Sequence, residues 1–199
     1  MKNLLSIFLF VLLYSCSSIS LEDDPIVQKH FSESDIAYLA SVLTFFDNEV
    51  LKQAYNSENL HHSYRMLFDE IRDSLEAKNS IMPFLEIDGV KLEKLISDIP
   101  DSLRQTIWFS DSSYKSYTDD SIFLRDLNPN GKYASFLKSC STKNDYLFEY
   151  YDNLQQASGI SPNMNAKMLL FPAKLDIKKE RERLIYAIHF ITLRRSSTH

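Results

Sequence analysis

The clearest helical signal in the chain lies in residues 32–55, SESDIAYLASVLTFFDNEVLKQAY. Apolar side chains recur there at spacings of three and four residues, which is the period of one helix face. Ser32 and Asp35 have the spacing of a capping box, and Ser34 offers a second N-cap. The stretch therefore predicts an amphipathic helix that ends near Tyr55. Its apolar positions are Ile36, Leu39, Ala40, Leu43, Phe46 and Val50.

The same period recurs through most of the remaining chain and predicts an all-α protein. A second long helix, from Leu60 to Leu75, follows a short connection, so we expect it to lie antiparallel to the first. Shorter helices are predicted near 90–99, 103–108, 132–137, 145–158, 162–171 and 177–195. The fold class is therefore a single helical domain of about seven or eight helices over residues 32–199, with possible halves 32–109 and 122–195.

The composition excludes several function classes. The 199 residues contain 44% hydrophobic and 25% charged residues, which is typical of a globular protein. Only three glycines occur, Gly89, Gly131 and Gly159, and none belongs to a phosphate-binding or nucleophile-elbow motif. The formal charge of −5 opposes nucleic-acid binding, which depends on neutralising phosphates with basic side chains.

The N-terminus has the pattern of a secretory signal peptide. Lys2 is followed by an apolar run from Leu4 to Tyr14, which is too short to cross a bilayer as a helix of roughly 20 residues. The run ends in Leu13-Tyr14-Ser15-Cys16, which resembles the lipobox of bacterial lipoproteins. The resemblance implies that residues 1–15 are removed and that Cys16 is acylated, so that a lipid anchor attaches the protein to a membrane.

The resemblance also implies a location. Ser17, rather than Asp, follows the cysteine, which in a Gram-negative cell implies lipid anchoring in the outer membrane, facing the periplasm or the exterior. The acidic cluster at 22–24 loosely resembles the export signal of Bacteroidetes surface lipoproteins. Residues 16–31 are interpreted as a lipidated tether to the helical domain. Loss of Lys2 with the signal peptide takes the formal charge from −5 to −6.

One stretch matches half of a calcium-binding loop. Asp126-x-Asn128-x-Asn130-Gly131 reproduces the first positions of an EF-hand, which must end in a bidentate Glu at position 12. That position is Leu137, so we interpret the stretch as a turn before a helix.

The remaining catalytic templates are incomplete. His61 and His62 lack the spacing of a zinc protease helix, and Cys140 with His189 lacks a helix N-terminus to stabilise a thiolate. Acidic residues suited to a glycosidase occur, but helix surfaces carry such residues widely. They are Glu58, Asp69, Glu70, Asp119 and Asp120. We therefore expect no catalytic residue, metal ligand or cofactor.

The longest stretch without apolar periodicity is residues 110–121, SDSSYKSYTDDS. It predicts a loop, or a linker between halves, with a local charge of −2. Tyr114 and Tyr117 offer rigid contact area, while Asp119 and Asp120 suit a basic partner, so these four residues form the predicted partner-binding site. Tyr146 and Tyr150 also lie off the predicted apolar faces and are expected at the surface.

These observations favour a binding role for the chain. The expected function is an outer-membrane-anchored, protein-binding lipoprotein, with an immunity protein or toxin inhibitor as its most specific form. The alternative is a cell-wall hydrolase or a glycan-binding accessory lipoprotein. An aromatic cleft with two converging carboxylates would favour this alternative.

Overall fold

A computed structural model describes residues 19–78, 87–110, 124–170 and 174–196. Helices account for 75% of these residues, and the only sheet among them has two strands, so the all-α prediction is confirmed. The α-helices are α1 (Pro25–His30), α2 (Glu33–Thr44), α3 (Leu60–Lys78), α4 (Gly89–Ser97), α5 (Asp101–Ile107), α6 (Lys132–Cys140), α7 (Asp145–Ala157), α8 (Pro162–Leu170) and α9 (Glu180–Ser196). The strands are β1 (Trp108–Ser110) and β2 (Leu124–Leu127), and a 3₁₀ turn, Ser141–Lys143, follows α6.

Helix α2 begins with the predicted capping box. The Ser32 hydroxyl accepts from the backbone N–H of Asp35, whose carboxylate accepts from the backbone N–H of Ser32. The helix then widens into a π-helical segment, Phe45–Lys52. The chain leaves the helix through Asn56, which has a left-handed φ of 44°. Asn tolerates that conformation, so the predicted end near Tyr55 is confirmed.

The long C-terminal helix α9 is the centre of the domain. Every residue from Glu182 to Thr192 is buried, and α9 packs against both α2 and β2. A helix that is buried on all sides must lie inside the core rather than on its surface. The charged run at 178–183, which by its mixed sign is typical of a solvated helix face, therefore ends inside the protein at Glu182 and Arg183.

The two possible halves share one core. Helix α2 from the first half packs on α9 from the second, and α3 packs on α8. Buried side chains from both halves belong to a single apolar cluster. Residues 110–121 therefore do not separate two independent cores.

The expected tether is shorter than residues 16–31. Leu21 is 1% exposed, Val27 is fully buried, and α1 packs against α6. The Asp24 carboxylate caps α1 by accepting from the backbone N–H of Ile26 and Val27. The folded domain consequently begins at about Leu21, because these apolar side chains bury their surface against the core.

Two strands replace part of a predicted helix. We expected Trp108 to continue the helix after Leu103, but α5 ends at Ile107 and Trp108 begins β1. Strand β1 runs antiparallel to β2, with Trp108 opposite Leu127 and Ser110 opposite Leu124. Within the described ranges, no helix has the length and apolar character that crossing a membrane requires.

Candidate functional site

The predicted site residues lie largely outside the described residues. Cys16 precedes them, and Tyr114, Tyr117, Asp119 and Asp120 fall in the gap at 111–123. The lipid attachment and the partner-binding site therefore stay predictions, while the structure describes the surfaces from which both segments emerge.

Two tyrosines expected at the surface are instead part of the packing. Tyr150 is 2% exposed and its hydroxyl bonds a histidine, whereas Tyr146 is half-buried and donates to the carbonyl of Lys167 at 2.8 Å. The expectation of surface contact area at Tyr146 and Tyr150 was wrong, because helix α7 packs on both α6 and α8 and so has two buried faces.

The described chain enters the domain at a site formed by Leu21, Asp24, Glu180 and Arg181, which we call the anchor-side end because the predicted lipid attachment, Cys16, precedes it in sequence. The backbone N–H of Leu21 donates to Oε2 of Glu180 at 2.9 Å. Nη1 of Arg181 donates to Oδ2 of Asp24 at 2.8 Å, and the Asp24 side chain is only 4% exposed. A charge-assisted bond to a buried carboxylate is stronger than an exposed ion pair. Leu21 and Asp24 are thereby fixed to the first turn of α9.

The β1–β2 hairpin attaches near the other end of α9. Trp108 is buried, and its Nε1–H donates to Oγ1 of Thr192 at 2.8 Å. The Thr192 hydroxyl in turn donates to the carbonyl of Ile188 at 2.7 Å. The strands therefore hold both ends of the 111–123 segment against a fixed point of the central helix.

A buried ionic cluster joins three elements of the core. Arg183 of α9 donates through Nε to Asp47 of the π-helical segment at 3.1 Å, and Tyr64 of α3 donates its hydroxyl to the same carboxylate at 2.8 Å. Burial raises the pKa of Asp47, and the positive charge of Arg183 opposes that rise. Arg183 and Tyr64 both direct their donors at the buried Asp47 carboxylate, so the cluster is a structural feature that joins α9, α3 and the π-helical segment.

His189 is fully buried and holds a defined tautomer. Its Nε2 lies 3.4 Å from the amide oxygen of Asn165, and its Nδ1 lies 2.9 Å from the hydroxyl of Tyr150. Because an amide oxygen only accepts, Nε2 carries the proton and Nδ1 accepts from Tyr150. Burial lowers the pKa of His189 to about 3, so the ring is neutral at physiological pH.

Cys140 lacks the environment of a nucleophile. Its side chain is 8% exposed, and burial raises the pKa of the thiol to about 12. A thiol must be deprotonated to attack, and His189 is engaged by Tyr150 and Asn165 instead. The pairing of Cys140 with His189 thus finds no support in the geometry.

The half calcium loop is a helix-turn, as the sequence predicted. Oδ1 of Asp126 accepts from the backbone N–H of Leu127 at 2.7 Å and from that of Ile160 at 2.8 Å. Oδ1 of Asn128 accepts from the N–H of Asn130 at 2.9 Å. Gly159, after α7, lies against the same carboxylate, since a Cβ there would be 2.3 Å from Oδ2 of Asp126. The side-chain oxygens of Asp126 and Asn128 therefore accept from backbone N–H groups of the turn and of the segment after α7.

The other metal and catalytic candidates are dispersed. Glu70 accepts from the Tyr55 hydroxyl at 2.6 Å, Asp69 pairs with Arg72, and Nδ1 of His62 bonds Arg65. No group of three His, Cys, Asp or Glu side chains that could hold a metal ion occurs among the described residues.

An open cleft of about 530 Å³ lies at the N-terminal end of α7. Its lining contains a tyrosine, the asparagine that caps α7, and both acidic and basic side chains. Two of these charged side chains, Glu149 and Lys167, form an ion pair. The lining residues are Lys143, Asn144, Asp145, Tyr146, Glu149, Lys167 and Lys174. The cleft has the size of a small-ligand site but a more polar lining than most.

Sequence reasoning missed the residues that fix the chain at the anchor-side end. Asp24 was part of an acidic cluster in the expected tether, and Arg181 was part of a mixed charge run. One signal was present in the sequence: Leu21 and Val27 are apolar residues within the expected tether, which a fully solvated linker does not need.

No family model matches this chain, and neither the curated proteins nor the solved structures include a match to it.

Proposed function

We propose that the protein is a lipoprotein anchored in an outer membrane through Cys16, and that its helical domain binds another protein. An immunity protein or inhibitor that neutralises a toxin is the most specific form of this role. The domain faces the periplasm or the exterior. The lipobox-like residues Leu13 to Cys16 support the anchor.

The observation that carries the binding role is the pairing of β1 with β2. Ser110 pairs with Leu124, so the 13 residues between them leave and rejoin the body at adjacent points. A segment of that length, held at both ends by a rigid scaffold, is typical of a binding loop. Its sequence supplies Tyr114 and Tyr117 beside Asp119 and Asp120, a combination suited to a basic protein surface.

Replacement of Tyr114, Tyr117, Asp119 and Asp120 by Ala and Ser tests the site. Proteins captured by the wild-type chain from membranes of the producing organism and its competitors would first be identified. We expect the quadruple variant to lose at least tenfold in affinity for the captured partner, measured by surface plasmon resonance.

The matched control replaces two exposed acidic residues elsewhere, Glu58 and Asp73, by Ser. It should keep wild-type affinity. An unchanged affinity of the quadruple variant, with an unchanged helical circular dichroism spectrum, would place the binding surface elsewhere.

The anchor is tested separately by Cys16→Ala. We expect the wild-type chain to enter the detergent phase with the mass of an acylated, processed protein, because two or more acyl chains anchor stably. The variant should remain unacylated and unprocessed. Identical masses for the two proteins would contradict the lipid anchor.

A cell-wall hydrolase or glycan-binding role is the second candidate, and the cleft at α7 favours it. The cleft combines the ring of Tyr146 with the carboxylates of Asp145 and Glu149. Incubation with purified peptidoglycan measures both binding and release of reducing sugars. Loss of either in Asp145→Asn or Glu149→Gln would support this role, whereas an inert wild-type protein would exclude it.

A further inference from the structure

We infer that the lipid anchor orients the domain, with the anchor-side end facing the lipid surface and the β1–β2 end of α9 facing away from it. This inference rests on the proposed lipidation of Cys16. It adds to that proposal a defined interaction surface, whose partner is the bilayer.

The link between the lipidated Cys16 and the folded domain is short. Leu21 is buried and bonded to Glu180, so only the residues between Cys16 and Leu21 can act as a tether. Even if fully extended, the five Cα–Cα steps from Cys16 to Leu21 reach roughly 18 Å. A folded body of about 180 residues has a radius of gyration of roughly 16 Å and hence a diameter of about 40 Å. The tether is therefore too short to let the far side of the domain turn towards the membrane.

Helix α9 runs from the anchor-side end to the β1–β2 hairpin. The anchor-side end contacts Glu180 and Arg181 in the first turn, while Trp108 of the hairpin bonds Thr192. Twelve residues separate Glu180 from Thr192, which corresponds to roughly 18 Å along a helix. The anchor and the hairpin are thus attached to opposite ends of one buried helix.

Helix α6 supplies a second connection with the same direction. Its first residue, Lys132, follows Gly131, which lies against the backbone of Thr106 just before β1. At its other end, the Ser139 hydroxyl lies 2.8 Å from Nε2 of His30 in the anchor-proximal helix α1. Lys132 therefore marks the hairpin end, and Lys178, two residues before Glu180, marks the anchor-side end.

Charge plays a minor part in this orientation. Lys178 lies two residues before Glu180 and is exposed, while Glu22 and Asp23, next to Asp24 in sequence, are exposed as well. The mixed charge gives no strong attraction to anionic lipid, so the short link sets the orientation of the domain.

Site-specific quenching by labelled lipid tests the orientation. A fluorophore is attached to the new cysteine of the processed Lys178→Cys or Lys132→Cys variant. Each labelled protein is reconstituted in vesicles of phosphatidylethanolamine and phosphatidylglycerol that contain a lipid with a nitroxide headgroup. Both lysines are exposed, while Cys140 is buried and Cys16 is acylated, so the wild-type chain serves as the labelling control. We expect a larger loss of emission at position 178 than at position 132.

A longer link provides the matched control. Twenty Gly and Ser residues inserted after Ser18 add a flexible coil of roughly 25 Å, which should remove the difference between the two positions. Equal quenching at 178 and 132 in an acylated protein that floats with the vesicles would overturn the orientation alone. A processed chain without acyl groups would overturn both the orientation and the proposed function.

Discussion

Nε of Arg183 lies 3.1 Å from Oδ2 of Asp47, and each of these two side chains is less than a tenth exposed. Arg183 also donates through Nη1 to the carbonyl of Ile177 at 2.9 Å, and the Tyr64 hydroxyl completes the shell of Asp47. The pair therefore joins α9 to the π-helical segment and α3 across the middle of the core. Burial of both charges makes each dependent on the other.

We predict that Arg183→Met destabilises the domain strongly, because it leaves the Asp47 carboxylate buried without its cation. The free energy of unfolding, measured in urea, should fall by about 3 to 5 kcal/mol. The double variant with Asp47→Leu should lose less than Arg183→Met alone, since no isolated charge remains. Lys178→Met, from the exposed start of the same charge run, should change stability by less than about 0.5 kcal/mol. A loss below about 1 kcal/mol in Arg183→Met would show that water reaches the pair.

This pair marks the limit of what the sequence could predict. Periodicity locates most helices, because burial of one face repeats every three to four residues. It assigns Arg183 to a solvated face, because a local pattern shows a residue's sequence neighbours and not the helices that later pack over it. The last helix is enclosed by α2 and β2, which are distant in sequence.

The two short strands and the end of α7 were also beyond the pattern. Strands of three and four residues are too short to show an alternation, and Trp108 fitted the preceding helical spacing. A glycine just after a helix commonly takes the left-handed conformation, but after α7 it is Ser158, and not Gly159, that has a left-handed φ of 56°. Gly159 is required for a different reason, the close approach of Asp126, which no local signal reveals.

The residue types of the candidate site could be predicted from the sequence, but their positions in the fold could not. The lipobox-like stretch and the tyrosines of the 111–123 segment are visible as residue types, whereas their placement depends on Leu21 meeting Glu180 and on Trp108 meeting Thr192. Those contacts join residues that lie far apart in sequence. The positions of the contacting residues depend on how α9 packs in the core, which local sequence patterns do not show.

We predict opposite effects of alanine at two glycines. A Cβ at Gly131 would lie 2.0 Å from the carbonyl oxygen of Thr106, a backbone atom that moves only with α5. Gly131→Ala should therefore destabilise the domain by about 3 kcal/mol or more. At Gly89, the first residue of α4, no atom lies within 4 Å of the added Cβ. Gly89→Ala should be neutral or stabilising by up to about 1 kcal/mol.

Thermal unfolding followed by circular dichroism measures both glycine variants under the same conditions. A melting temperature of Gly131→Ala within the error of the wild-type value would mean that the turn relaxes without loss. That result would contradict the close contact between this turn and α5.

We predict that the Cys140 thiol is unreactive in the folded protein. Burial raises its pKa to about 12, so very little thiolate exists at pH 8, and the side chain is 8% exposed. Reaction with a chromogenic disulfide should be slow in buffer and fast in urea. Cys140→Ser should lower the free energy of unfolding by about 1 to 2 kcal/mol and leave any binding intact. Rapid native labelling would show that the end of α6 opens in solution.

Our last prediction concerns pH. Burial lowers the pKa of His189 to about 3, whereas an unfolded chain binds this proton near pH 6.5. Between these values the unfolded state holds more protons, so stability falls as the pH drops below about 6.5, by up to about 1.4 kcal/mol per pH unit. Urea unfolding of the wild-type chain and His189→Gln from pH 7.5 to 4 measures the difference in slope. His61→Gln, an exposed control, should keep the wild-type slope, and a His189→Gln slope equal to the wild-type value would show that the ring titrates normally.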